Sequence, residues 1–490
     1  MSNRNRRTVR LSLEPLEPRE TPAGGIVTVN VLNGSVTLTG DAAGNDVRLL
    51  ETAANTVAIM GQNGTLVRLG TGGAAITEID DVVITKNLTV RLGNGADHFD
   101  YTGTFNSRID DIAVTTGTGD DTVSIGFLFA RNVSVVQGAA AGATDNDSVT
   151  INGSFRGNVM LDDRAGSDTV TFTAAVLGNL TVANQDGADT VSIGGVVGGN
   201  LAVTDTATKT TVAGNAFTLS NLQVGHNVTI TSPGNFVQTI TLGTVVVGGS
   251  LTVSAGSSAG LPTTVNVSNA VVGVNLSVSG GAGDDSVTLA SVRVGKNLNV
   301  SNNAGTNTTT LDGAHVGGSL SVSGTSGSDT VNLGANFGVV VGGNGTFNLG
   351  DGSNTLAAGA NGQSAEFGGN FSVTTGGGVD QITMALLTVQ GNANVNLGAG
   401  NDLLTVQSSA TFAGNTLVNA GAGDDQISVN ADNGTAISFL GNMNLTLGAG
   451  IDTLNIGTSN GTVWLLGNLL SDASTADTID VGANFLRPGF

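Results

Sequence analysis

The chain repeats itself. From Asn179 it reads NLTVANQDGADTVSIGGVVGGN, from Asn275 NLSVSGGAGDDSVTLASVRVGKN, and from Asn392 NANVNLGAGNDLLTVQSSATFAGN. Each copy opens on Asn and a short apolar/polar alternation. A Gly-rich acidic turn follows, then a second alternation, a third apolar pair and a Gly before the next Asn. A recurring unit of this length is the signature of a stacked-repeat architecture. In the copy from Asn179, Leu180 and Val182 point one way and Thr181 the other. Val191 and Ile193 repeat the pattern around Ser192, and Val196 or Val197 supplies a third side. Three short strands per coil, all turning the same way, predict an all-β fold, a parallel β-helix or β-solenoid. The crossover preference makes it right-handed. With sixteen intervals of 21 to 27 residues and about 4.8 Å per coil, the body is expected to be roughly 80 Å long.

The opening slot can be followed as a column: Asn87, Asp111, Asn132, Asn158, Asn179, Asn200, Asn227, Ser250, Asn275, Asn297, Ser319, Asn344, Asn370, Asn392, Asn415, Asn442 and Asn468. Fourteen of the seventeen are Asn and none is apolar. Stacked coils bring equivalent amides within hydrogen-bonding reach of each other, as in the Asn ladders of cross-β structures. Asn is also a good turn residue after Gly, which accounts for any one copy but not for the scarcity of Asp, Gly and Ser along the column. The expectation is an inward-facing structural ladder.

Four segments follow. Residues 1–23 form a basic leader with five Arg, three Glu and three of the six prolines, and are expected to be disordered. Residues 24–86 form a β lead-in, with strands around Asn33–Gly34 and a hairpin expected around Asn63–Gly64. These strands lack the repeat frame and are expected to be antiparallel, an atypical end unit of the kind solenoids use to cover exposed edges. Residues 87–468 are the parallel body, least regular over 201–275, where the acidic turn is lost and Pro233 and Pro262 appear. Residues 469–490 are a last partial coil, with Phe485, Leu486 and Phe490 expected over the open end.

The chain has 75 Gly, 39% hydrophobic residues, 4% aromatics and no Cys. That is too apolar for a disordered chain, and there is no disulfide framework or thiolate metal site. The net charge is -21, and -23 without the leader. A body this acidic repels nucleic acid and anionic lipid and attracts divalent cations. No apolar run is long enough for a membrane span.

The turn after the first strand follows G-x-G-x-D or a remnant of it. Clear copies are Gly117-Thr-Gly119-Asp120-Asp121, Gly281-Ala-Gly283-Asp284-Asp285, Gly398-Ala-Gly400-Asn-Asp402, Gly421-Ala-Gly423-Asp424-Asp425 and Gly448-Ala-Gly450-Ile-Asp452. Shorter remnants end in Asp97, Asp147, Asp168, Asp189, Asp329, Asp380 and Asp477. The pattern resembles the hemolysin-type calcium-binding repeat. It departs from that family in having one motif per coil, no tandem nonapeptide and an incomplete leading Gly pair. The resemblance implies calcium between coils at Asp97, Asp120, Asp121, Asp147, Asp168, Asp189, Asp284, Asp285, Asp380, Asp402, Asp424, Asp425 and Asp452. Electrostatics supports a cation: like charges stacked 4.8 Å apart repel by about 1 kcal/mol per pair in water. Calcium takes six to eight oxygens of the kind such turns offer. The competing expectation is that each Asp caps its own turn by an Asx hydrogen bond and faces water.

The stretch Leu13-Glu14-Pro15-Leu16-Glu17-Pro18-Arg19 resembles the LEPR-type leader of large bacterial exported surface proteins. It implies export, although no 7–15 residue apolar segment follows Arg6-Arg7. Parallel β-helices also include polysaccharide lyases and hydrolases, which need a local pair of carboxylates. Here the acids form a periodic column. Only twelve Lys and Arg lie beyond residue 23, His98, His226 and His315 are far apart, and Tyr101 and Trp464 are the single Tyr and Trp. The expectation is therefore an exported structural or adhesive cell-surface or extracellular solenoid, calcium-stabilised and without catalysis. Its partners would be cell-surface or matrix components such as polysaccharide. The alternative is a polysaccharide-processing enzyme.

Overall fold

The structure, a computed structural model, describes residues 24–487 except 104, 106, 139–144, 207–213, 234–236, 257–260, 360–361, 473 and 475. The leader with its LEPR-like stretch, and Phe490, lie outside the described residues. The rest is strand and turn, with no α-helix among the described residues.

The chain winds as a parallel β-solenoid of about sixteen turns with three faces. Strands that follow the Asn slot make the first face: Leu180–Asp186 pairs in parallel with Leu201–Asp205, which pairs with Val228–Ser232. The second face carries Val191 opposite Phe217 and Phe217 opposite Ile240. The third carries Val272 opposite Val294 and Val294 opposite Val316. In the coils between residues 148 and 247 the second and third faces are one continuous strand, as in Gln238–Val247, and beyond Val247 they are separate strands. Of the two third-side candidates, Val197 is buried and Val196 is 44% exposed.

Side chains alternate in and out on each strand, so like stacks on like. Leu180, Leu201, Val228, Leu251 and Leu276 are consecutive rungs of one fully interior stack. Where a large ring enters, a small residue faces it. Phe347, Phe367 and Phe371 meet with ring centroids 5.0–6.2 Å apart. Gly345, the rung below Phe371, leaves the space that Phe367 fills.

The N-terminal lead-in contains the expected antiparallel pairs, Ile26–Leu32 with Ser35–Thr39 and Asp46–Ala53 with Thr56–Gly61. The hairpin around Asn63–Gly64 does not form. The turn is there, with both residues at positive φ. However, Thr56–Gly61 pairs with Asp46–Ala53 and Glu78–Val83, and Leu66–Leu69 runs parallel to Ile26–Leu32. The turn connects two rungs rather than two hairpin arms, because burial of Val57 and Ile59 favours the longer pairing. The lead-in also joins the repeat frame: Ser35–Thr39 and Asp46–Ala53 pair in parallel with the first coil. At the other end Phe485 packs against the core while Leu486 is 38% exposed.

Candidate functional site

Two side-chain ladders run the length of the body, on different corners. The Asn ladder exists, but it faces outward. Asn158, Asn179, Asn200 and Asn227 are all exposed. Each side-chain Oδ1 accepts the backbone N–H of the next slot: Asn158 from Asn179 at 2.9 Å, Asn179 from Asn200 at 2.8 Å, Asn200 from Asn227 at 3.1 Å. The series runs from Asn132 to Asn468, with Ser250 and Ser319 substituting their hydroxyls. Asn87, at the start of the column, is exposed and its carbonyl accepts the Val36 N–H. The expectation of an inward ladder is therefore corrected. The slot sits on a corner outside the strand alternation, and the Gly before it explains the side. A Cβ on Gly199, Gly249, Gly318 or Gly391 would overlap the Oδ1 of the previous coil's Asn. Gly and Asn form one unit, the first making room for the second.

The inward ladder is the acidic one. Asp97, Asp121, Asp147, Asp168, Asp189, Asp285, Asp329, Asp380, Asp402, Asp425 and Asp452 are each at most 2% exposed. Here the hydrogen bond runs the other way, from the backbone N–H of one coil to the Oδ1 of the following Asp. Asp97 N donates to Asp121, Asp121 N to Asp147, and Asp147 N to Asp168, each at 2.8 Å. The far run behaves alike, from Asp380 through Asp402 and Asp425 to Asp452 and Asp477. These acids do not face water as capping residues. The Asx element survives at Asp121, whose Oδ2 accepts the Gly117 N–H at 3.2 Å.

The doubled acids separate. Asp120, Asp284 and Asp424 are exposed, while Asp121, Asp285 and Asp425 are buried. The outer members make their own row: Asp120 accepts the Asn146 N–H, Asp284 the Thr306 N–H, Asp424 the Ile451 N–H. The two carboxylates of a doublet thus lie on opposite sides of the backbone. Among the described residues no three Asp, Glu or His converge on a common point. The glycines of the motif have a stacking role: Gly119, Gly423 and Gly450 have φ of 120°, 132° and 144°, and a Cβ on each would strike the backbone of the preceding coil.

Sequence reasoning missed part of this ladder by following acids alone. Asn215, Asn307 and Asn354 occupy it too, since the position needs an acceptor oxygen and an amide supplies one, and Asn45 opens it as a donor, its backbone N–H going to Asp97. Gln238 and Thr263 hold the same rung through the irregular stretch, but there backbone carbonyls take over, Asn215 N donating to Val237 O and Gln238 N to Pro262 O, and the side-chain ladder resumes where Thr263 N donates to Asp285.

Burial controls the electrostatics. It pushes Asp97 up to about 7, Asp189 to about 7, and Asp285, Asp329 and Asp402 to about 6, against the hydrogen bonds from the preceding coil, which pull down. The second oxygen, Oδ2, of Asp97, Asp147, Asp189, Asp285, Asp329, Asp380, Asp402, Asp425 and Asp452 is buried and receives no hydrogen bond. A carboxylate in that state favours a proton or a cation.

Of the residues weighed for glycan chemistry, Tyr101 is buried, Trp464 is 39% exposed, and His226 and His315 are exposed on turns or strand ends. His98 contacts Asp46 at 3.0 Å. Among the described residues no helix is long and apolar enough to cross a membrane. No family model matches the chain, and no curated protein matches it.

Proposed function

We propose that the chain is an exported structural or adhesive rod of a cell surface, binding extracellular or cell-surface material such as polysaccharide without turning it over. One observation carries the reading: the parallel stacking is continuous from Leu88 to Ser471 on the first face, with register shifts only at strand ends, after Ser301 and after Asn348. A body built this way is stiff along its axis, and its stability is a sum over coils and their contacts. The second face supplies a surface. Its outward positions pair hydroxyls coil after coil: Thr122 and Ser124, Ser148 and Thr150, Thr169 and Thr171, Thr190 and Ser192, in register. Similar pairs recur at Thr239 and Thr241, Ser286 and Thr288, and Thr308 and Thr310. Hydroxyls repeating about every 4.8 Å suit a repetitive polar polymer. Calcium enters this reading at one interior place, argued below.

The test is co-sedimentation of the chain with insoluble polysaccharides and with whole cells, alongside a reducing-end assay. Binding without new reducing ends is expected, and Thr150→Val with Thr171→Val should weaken it. Glycan cleavage, or an absence of binding to every surface tried, rejects the proposal.

A further inference from the structure

Beside the acidic ladder runs a second interior column, five residues after each Asn slot. It is apolar or small at Leu92, Ala255, Gly280, Gly324, Leu349, Leu397, Ala420 and Leu447, and polar at the isolated rungs Asn302 and Thr375. For six consecutive coils it turns polar. Thr116, Gln137, Asp163, Asn184, Asp205 and Ser232 are at most 5% exposed, and Gln137, Asp163, Asn184 and Asp205 are successive rungs in register.

Each polar residue shares its coil with a member of the acidic ladder. At Asp205 the chemistry closes: Asn215 Nδ2 donates to its Oδ2 at 2.6 Å and Ser232 Oγ at 2.8 Å. At Asp163 it does not. The coil partner there is Asp168, so carboxyl meets carboxyl. Both oxygens of Asp163 are buried without a donor, as are both polar atoms of Gln137 on one side; on the other side the Asn184 amide leans toward the Asp189 carboxyl, and its Oδ1 is left without a donor. Asp147 and Asp189, one coil away on either side, each bring a partnerless Oδ2. No Lys or Arg is buried among the described residues. Arg164, the nearest cation in sequence, is turned outward toward Asp162 at 3.7 Å.

Buried, unpaired charge is not tolerated without compensation. Asp205 shows that the fold supplies donors where it uses an acid in this column. We propose that the interior corner around Asp163 binds one hard metal cation of the calcium class. Asp163 is the central ligand, and the amide oxygens of Gln137 and Asn184 on the adjacent coils, with the carboxylate of Asp168 from its own coil, make an oxygen-only set that needs no third carboxylate. Carboxylate and amide oxygens are the ligands such a cation prefers. This site differs from the row of ions that the G-x-G-x-D pattern implies in centre and in number: one ion, centred on a column outside that motif and shared by three successive coils.

The experiment uses the full chain, equilibrated with calcium chloride, desalted, and assayed for bound metal by mass spectrometry and for melting by calorimetry with and without chelator. About one equivalent of calcium should remain, and chelator should lower the melting temperature. Asp163→Asn should abolish retention and the chelator response. Asp329→Asn, altering a ladder acid that Asn307 already serves through Nδ2 at 2.8 Å, should retain the ion. If Asp163→Asn does not fold, Gln137→Met, which removes one amide oxygen and no charge, should weaken calcium binding at least tenfold in a titration. Unchanged affinity in Gln137→Met overturns the proposal. A wild-type chain that holds no metal and melts identically in chelator also overturns it, leaving a proton as the compensating charge. So do several equivalents that persist in Asp163→Asn, which would place the ions at the outer turns.

Discussion

At the scale of single residues, the most informative pair is Gly199 with Asn179. Asn179 Oδ1 accepts the Asn200 N–H at 2.8 Å, and Gly199 leaves the room. Asn179→Ala should cost about 0.5–1.5 kcal/mol, the worth of one hydrogen bond at a wet corner. Gly199→Ala should cost about 1–3 kcal/mol by overpacking. The double variant should lose less than the sum, because the alanine methyl no longer meets the amide; urea denaturation of the four proteins measures the coupling. Thr416 offers the opposite sign. Its hydroxyl is buried without a partner beside a small apolar cavity lined by Met384, Phe412 and Phe439. Thr416→Val should stabilise by about 1 kcal/mol in the same assay, by removing an unmet polar group. The identity of the Asn column was legible in the sequence because one side chain serves one bond in every coil. Its outward direction was not. Period-two alternation assigns faces along a strand, and corner residues lie outside it.

At the scale of one element, the inner ladder should make stability depend on pH in an unusual direction. Asp97 is raised to about 7 and Asp285, Asp329 and Asp402 to about 6, against about 3.9 for an unfolded Asp. Between about pH 4 and 7 the folded chain therefore binds more protons than the unfolded one, and stability falls as pH rises through that window. Melting temperatures recorded from pH 4.5 to 8 in chelator should be highest at the acidic end. Asp329→Asn should flatten the slope. Asp111, Asp312 and Asp477 are shifted down, so they act the other way only below about pH 4. The spacing of the acids was visible from sequence; their burial was not. A G-x-G-x-D turn reads the same whether its Asp points at water or at the core. What decides is that the glycines let adjacent turns touch, leaving the last Asp on the inner side. The turn at Asn63–Gly64 misled for a related reason: local chemistry sets the bend, and burial elsewhere chooses the strands it joins.

At the scale of the molecule, the three-sided winding followed directly from the repeat, because Leu180, Val182, Val191 and Ile193 have counterparts in nearly every coil. The antiparallel start was legible too, though its parallel joints to the first coil, through Val36 with Leu88 and Val47 with Phe99, were hidden by the absence of the repeat frame there. A coil should be removable as a unit. Deleting residues 298–319 takes out one slot-to-slot step of 22 residues and brings Leu320 onto Leu276, like onto like. The shortened chain should fold, lose about 4.8 Å of length by solution scattering, and unfold at slightly lower denaturant. A failure to fold would mean that coils are not interchangeable. The two ladders point in opposite senses, the outer one donating from each coil to the one before and the inner one to the one after. A cross-section anywhere in the body therefore has two unlike sides: one offers an outer N–H with an inner oxygen, the other an outer oxygen with an inner N–H. Both ladders therefore close only when coils follow one another in a single sense, so the body carries a direction along its axis that each coil hands on to the next.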